Sequence, residues 1–238
     1  MTPTPRQFTL DLAAAPLPSL DNFVAGDNGA ALAALRAALA GAGPEFIHLW
    51  GGSGSGRSHL LAAVVRAEHP SDPPSIDEVP AYTPQRRIYA VDDVHLLDPG
   101  QQAALFALQN AVREHGSGRG GSAGPQASAK APVLVTSADL PPARLQLRED
   151  VRTRLGWGLI FALHPIAEAD RAAALQAYAR ARGARVDDEL VPYMLTRLPR
   201  DMRTLVSVLD ALDAYALTQR SALTVRLLRD WLQQQERS

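Results

Sequence analysis

Two short stretches carry the residue types that phosphate chemistry needs. Gly51-Gly52-Ser53-Gly54-Ser55-Gly56-Arg57-Ser58 follows an apolar run and opens a helical pattern. It fits the phosphate-loop pattern G-x-x-x-x-G-K-[ST], with Arg57 where that pattern has lysine. Glycines reach left-handed dihedrals and leave their amides bare. Bare amides at a helix N-terminus make a nest for a polyphosphate, here with His59 directly after the loop. The Ser58 hydroxyl is spaced to ligate Mg²⁺. A plain glycine turn between strand and helix is the competing reading. Arg57 brings a planar fork in place of a compact ammonium. A fork can hold phosphate bidentately but fits less well between β- and γ-phosphates. The expectation is nucleotide binding (ADP or ATP) with weak or no intrinsic hydrolysis.

The second stretch is Ile88-Tyr-Ala-Val-Asp92-Asp93, an apolar strand pattern ending in two carboxylates. In a parallel sheet such a strand end lies beside the phosphate loop and presents a Mg²⁺ ligand. Asp92 is the expected ligand, directly or through water. Asp93 takes the position of an acid that orients attacking water. An exposed acidic turn is the alternative.

These residues need elements to hold them. Phe46–Trp50, Arg87–Val91, Val133–Thr136 and Leu159–Leu163 are short apolar runs that read as buried strands. Helical patterns fill Gly29–Leu39, Ser58–Glu68 and Pro99–Glu114, and Gly41 and Gly43 stop the first of them. After Ile166 only helices are expected: Glu168–Arg182 with Gly183 at its end, Asp187–Leu198, Asp201–Thr218, and Thr224–Gln235 with Thr224 as N-cap. The reading is an α/β fold, a three-layer αβα domain on a parallel sheet followed by a small all-α lid. The expected limits are a tail over 1–22, the α/β domain over 23–166 with a Gly/Ser/Ala loop at 116–132, and the lid over 167–238.

Composition narrows the function classes. The chain has 238 residues, 46% hydrophobic and 21% charged, which excludes a wholly disordered protein. There is no cysteine, so disulfide and thiolate chemistry are out and a cytoplasmic location is expected. The N-terminus lacks the pattern of a secretory leader, and no apolar run reaches the ~18 residues of a membrane span. With a net charge of −1, nucleic acid is not the default partner, and no direct sequence-specific DNA binding is expected. The six histidines show no metal-ligand spacing and read as core or surface residues.

Four further phrases bring a resemblance. They are Phe23-Val-Ala-Gly-Asp-Asn28, Val135-Thr136-Ser137-Ala-Asp139, Arg152-Thr-Arg154-Leu-Gly-Trp157-Gly158 and Leu198-Pro-Arg-Asp-Met-Arg203-Thr-Leu205. With the phosphate loop and the acidic pair, they resemble the DnaA-related AAA+ family over residues 7–236, most closely its short Hda-type branch. The segment between the loop and the acidic pair looks shortened, and 116–132 looks inserted. The resemblance implies a nucleotide-pocket box at Phe23–Asn28 and a sensor 1 at Thr136 and Ser137. It implies an arginine finger at Arg154 that acts on a neighbour's γ-phosphate, and a lid sensor at Arg203 that contacts phosphates. A structural ion pair for Arg154 and a solvated side chain for Arg203 are the alternatives.

Gln7-Phe-Thr-Leu10-Asp-Leu12 resembles the Q-x-x-L-x-L peptide that binds the bacterial sliding clamp, with Gln7, Leu10 and Leu12 as its anchors. The chain ends where such a lid ends, so no DNA-reading domain is expected. The implied function is a regulatory inactivator of DnaA, tethered to the clamp, that stimulates hydrolysis of DnaA-bound ATP; a homodimer or homo-oligomer fits as well. Rival expectations are a DnaA-like ATPase or helicase loader, a small-molecule P-loop kinase, and an adaptor without nucleotide.

Overall fold

The computed structural model describes residues 17–116, 131–199, 201–219 and 221–235. Two compact units divide at Ile166, one being Pro18–Ile166 and the other beginning at Ala167.

The first unit is built on four parallel strands, β1 (Phe46–Trp50), β2 (Ile88–Val91), β3 (Val133–Ala138) and β4 (Leu159–Ala162), in the order β2-β3-β1-β4. The helices are α1 (Gly29–Ala40), α2 (Arg57–Glu68), α3 (Pro99–His115) and a short α4 (Glu149–Arg154) that the sequence patterns do not reveal. Alternation along each strand sorts side chains to two faces. Ile47, Leu49, Ile88, Ala90, Val133 and Val135 pack with α1 and α2. Phe46, Tyr89, Val91, Leu134 and Ala138 pack with α3 and α4. Covered on both faces, the strands are largely apolar, as a parallel sheet requires, with His48, Thr136 and Ser137 as buried polar residues. The edge strand β4 differs, leaving Leu159 and Ile160 45% and 43% exposed.

Helix ends follow local chemistry. Gly41 closes α1 with φ 83°, a left-handed conformation that costs glycine little. Asp98 opens α3: its carboxylate accepts from the Gln101 amide at 2.8 Å while the Gln101 side chain accepts from the Asp98 amide at 2.9 Å.

The second unit holds α5 (Arg171–Ala181), α6 (Leu190–Arg197), α7 (Met202–Gln219) and α8 (Val225–Gln235). Its core includes Leu175, Met194, Leu205, Leu212 and Trp231. Residues Glu168–Asp170 form a 3-10 turn, where the spacing predicts the start of α5. None of the three is buried. Thr224 caps α8, accepting from the Leu227 amide at 3.2 Å. No described helix is long and apolar enough to cross a membrane.

Candidate functional site

The phosphate-loop residues lie between the end of β1 and the first turn of α2, as the spacing predicts. Gly51 has no room for a side chain: a Cβ there would stand 2.3 Å from the Leu163 carbonyl oxygen. Gly56 has φ 92°, and a Cβ on it would meet the Phe23 ring at 2.5 Å. Gly56 also offers no side-chain cap, so the first amides of α2 are left for a ligand. Phe23 in turn faces the His59 ring, at 5.6 Å between centroids, and His59 Nε2 lies 3.0 Å from the Ser19 carbonyl. Asn28 clasps the end of β4, donating to the His164 carbonyl at 2.8 Å and accepting its amide at 2.9 Å. The Phe23–Asn28 box therefore braces the loop from outside.

Two buried polar atoms at the loop, Ser55 Oγ and Arg57 Nη1, have no hydrogen-bond partner. Leaving such atoms unpaired is costly, so their presence points to a ligand that completes them. A bare helix terminus, a cradle without Cβ atoms and an unpaired guanidinium nitrogen fit a polyphosphate. Ser53 and Gly52 lie on the exposed rim of this loop, as does Gly54 with φ 78°.

The acidic pair ends β2 as expected, and its two members are held differently. Asp92 is buried, and its carboxylate accepts from the Ser137 hydroxyl at the end of β3. Asp93 stands at φ 42°, an uncommon conformation that aspartate tolerates better than most residues. Its amide donates to Asp92 Oδ1 at 3.0 Å and to Ser137 Oγ at 3.2 Å. Its carboxylate faces the loop: Asp93 Oδ1 lies 3.1 Å from Arg57 Nη2 and 3.9 Å from His95 Nδ1. His95 also stands 3.6 Å from Asp139, so the Asp93 and Asp139 carboxylates, the His95 imidazole and the Arg57 guanidinium crowd together beside buried Asp92.

Ser58 is exposed at the start of α2 and, with Asp92, supplies hard oxygen donors that suit Mg²⁺. Among the described residues no group of three or more His, Cys, Asp or Glu could hold a metal ion. A Mg²⁺ here would have to share its coordination with phosphate oxygens and water.

Thr136 and Ser137, which the resemblance reads as one sensor, have different partners. Ser137 engages the acidic pair. Thr136 faces away from it, its Oγ1 2.8 Å from Nδ1 of His48, its partner across the β1–β3 register. Burial, with the Arg57 charge adding to it, pushes the His48 pKa down to about 4, so the ring is neutral. Its Nε2 is buried and unpartnered.

Arg154 ends α4 and packs on α3. Its guanidinium donates to Asn110 Oδ1 and lies 3.7 Å from the Phe106 ring centroid and 4.7 Å from that of Trp157. Desolvation lowers its pKa, with the like charge of Arg113 adding and Asp150 opposing. Trp157 stacks edge-on against Phe46, the first residue of β1, with centroids 5.7 Å apart. Gly158 is required there, since a Cβ would sit 1.8 Å from the Phe46 carbonyl oxygen. Arg154 thus lies where β1 begins, while the phosphate loop lies where β1 ends. Five strand residues separate the two edges, on the order of 15 Å of backbone. Phe106, Asn110 and Arg113 follow one another at helical spacing on one face of α3, a signal present in the sequence but not singled out there.

Residues 168–232 match the family model described as "Hda, lid domain". Domain III of the Thermotoga maritima replication initiation protein DnaA superposes with a TM-score of 0.51 at 19% identity, covering 91% of this chain and 99% of that one. AMPPCP-bound DnaA from Aquifex aeolicus gives a TM-score of 0.55 at 16% identity, covering 83% of this chain and 65% of that one. The chain has a DnaA-type AAA+ fold with an Hda-type lid. In this Hda-type lid, Arg203 is exposed on the first turn of α7. The lid's own polar core is a separate network: the Tyr178 hydroxyl donates to Asp210 at 2.9 Å, and Arg182 Nε stands 3.5 Å from the same carboxylate. Burial raises the pKa of both Tyr178 and Asp210. Gln7, Leu10 and Leu12 lie outside the described residues.

Proposed function

We propose that this protein is a regulatory inactivator of DnaA: it holds ADP or ATP in its own loop and lends Arg154 to hydrolysis of ATP bound by a DnaA partner. The observation that carries the reading is the place of Arg154. It stands at the strand-start edge, on Phe106 and Trp157, away from the loop that follows β1. A guanidinium so placed serves a phosphate brought by another subunit better than its own. There it stabilises charge developing on the γ-phosphate, an effect of ~10³–10⁵ in rate for arginine fingers.

The chain's own site has the marks of a holder. The α2 amides, Ser55 and Arg57 would bind the phosphates, and Ser58 and Asp92 would hold Mg²⁺; Arg203 is the residue of the second unit to which the resemblance gives a sensor role. A bound nucleotide with Mg²⁺ would supply the charge that completes these unpaired groups. Arg57 ties up Asp93 at 3.1 Å, so the acid that would orient water is neutralised by the residue that replaces lysine. This argues for weak intrinsic hydrolysis and against a self-sufficient ATPase or helicase loader.

The peptide with Gln7, Leu10 and Leu12 docks on the sliding clamp, raising the local concentration of inactivator near replicated DNA. The setting is the bacterial cytoplasm, with no direct DNA reading required. The test combines this chain, ATP-loaded DnaA and DNA-loaded clamp, and follows phosphate release. Stimulation is expected, and it is lost with Arg154→Ala. A rate no higher than that of DnaA alone overturns the function, and stimulation that survives Arg154→Ala overturns the finger.

A further inference from the structure

Arg154 does not stand alone. Arg113, an exposed residue on α3, holds its guanidinium carbon 4.2 Å from the centroid of the same Trp157 ring. Desolvation lowers the Arg154 pKa, the Asp150 charge opposes that shift, and the like charge of Arg113 adds to it. A neighbouring arginine shows the usual remedy for such crowding: Arg148 is paired with Asp150 at 2.7 Å. Among the described residues neither Arg113 nor Arg154 has a carboxylate within ion-pair distance. What holds them is two π faces and the neutral amide of Asn110. Cation–π contact keeps a guanidinium in place without neutralising it. Two guanidiniums on one ring, neither ion-paired to a carboxylate, are a site for an anion with several oxygens.

The surroundings favour an anion carried by a protein. Leu159 and Ile160, two and three positions beyond Trp157, are exposed on the edge strand β4. Exposed apolar residues beside a charged site mark a protein contact better than a site for a free ion.

We propose that Arg113 and Arg154, held together on the Trp157 ring, form one two-armed cation site that takes the terminal phosphate of a triphosphate carried by a partner protein. Arg113 binds that phosphate itself. The inference rests on the reading of Arg154 as a residue lent to a partner, and it adds a second arginine to that action.

The test repeats the phosphate-release assay with Arg113→Ala, Arg113→Lys and Arg154→Ala, each first shown to match the parent in circular dichroism and melting. Arg113→Ala is expected to cut the maximal stimulated rate at least tenfold, with the half-saturating concentration changed less than threefold. Arg113→Lys recovers part of the rate. If Arg113→Ala stays within twofold of the parent while Arg154→Ala is dead, the two-armed site is overturned and the lent arginine stands. If the parent itself gives no stimulation, the reading of the function falls, and a second measurement decides the site. The ADP-saturated protein is titrated with inorganic tripolyphosphate, and the fluorescence change that Trp157→Phe removes is followed. A saturable change lost in both Arg113→Ala and Arg154→Ala supports the site. No change in the parent, or an unaltered one in Arg113→Ala, overturns it.

Discussion

Replacing Arg57 by alanine tests the phosphate loop most directly. The side chain is only 12% exposed, one nitrogen is on Asp93 at 3.1 Å, and the other is buried without a partner. The unpaired nitrogen is the arm expected on phosphate. A hydrogen bond to a charged group contributes roughly 1.5–3 kcal/mol net. Its loss corresponds to about 10–150-fold weaker ADP binding. Asp93 acts in the same direction, because without Arg57 its carboxylate faces the phosphates uncompensated. Isothermal titration of ADP into parent and variant measures the ratio. Melting gives a second readout, since ADP at 100 times the parent Kd stabilises by about 2.7 kcal/mol. A variant bound 30-fold more weakly keeps only about 0.9 kcal/mol of that at the same concentration. For a chain of this size those figures mean shifts of roughly 5–11 °C and 2–4 °C. Affinity within twofold of the parent refutes the role given to Arg57, whatever happens to stability.

Arg57→Lys should keep nucleotide binding and raise the chain's own ATP turnover several-fold, because a compact ammonium frees Asp93; an unchanged rate in a single-protein assay counts against the ion pair as a brake. Gly51→Ala drives a Cβ to 2.3 Å from the Leu163 carbonyl, which should cost about 1–3 kcal/mol in urea unfolding and displace the loop, so full stability with intact ADP binding would contradict the packing. Ser137→Ala removes the hydroxyl donor to buried Asp92, with an expected loss of roughly 1–3 kcal/mol and of the Mg²⁺-dependent part of nucleotide affinity, checked by titration with and without Mg²⁺. His48 takes up a proton near its ordinary 6.5 in the unfolded chain but only near 4 in the folded one, so its contribution is full above pH 6.5 and falls by about 1.4 kcal/mol per pH unit toward pH 4. Unfolding curves for His48→Gln over that window should be flatter with pH than those of the parent, and an identical slope would remove His48 as the cause.

Local chemistry settled a large part of this protein in advance. Apolar runs four to six residues long, separated by glycine and proline, announce buried parallel strands, and the glycines before Arg57 announce a bare-amide turn. Such features are readable because each depends on residues within a few positions of one another. The strand order, and with it the pairing of distant residues, depends on how the sheet assembles. Placing β3 between β2 and β1 brings Ser137 to Asp92 and Thr136 to His48, so two adjacent hydroxyls read as one sensor acquire different partners. Packing α4 on α3 puts Arg154 over Phe106 and beside Arg113, at the edge away from the phosphate loop. A helix as short as α4 leaves little periodicity to detect. Arg57 illustrates the division: its departure from lysine is legible in the chain, but its bond to Asp93 exists only because β1 and β2 end on the same side of one sheet.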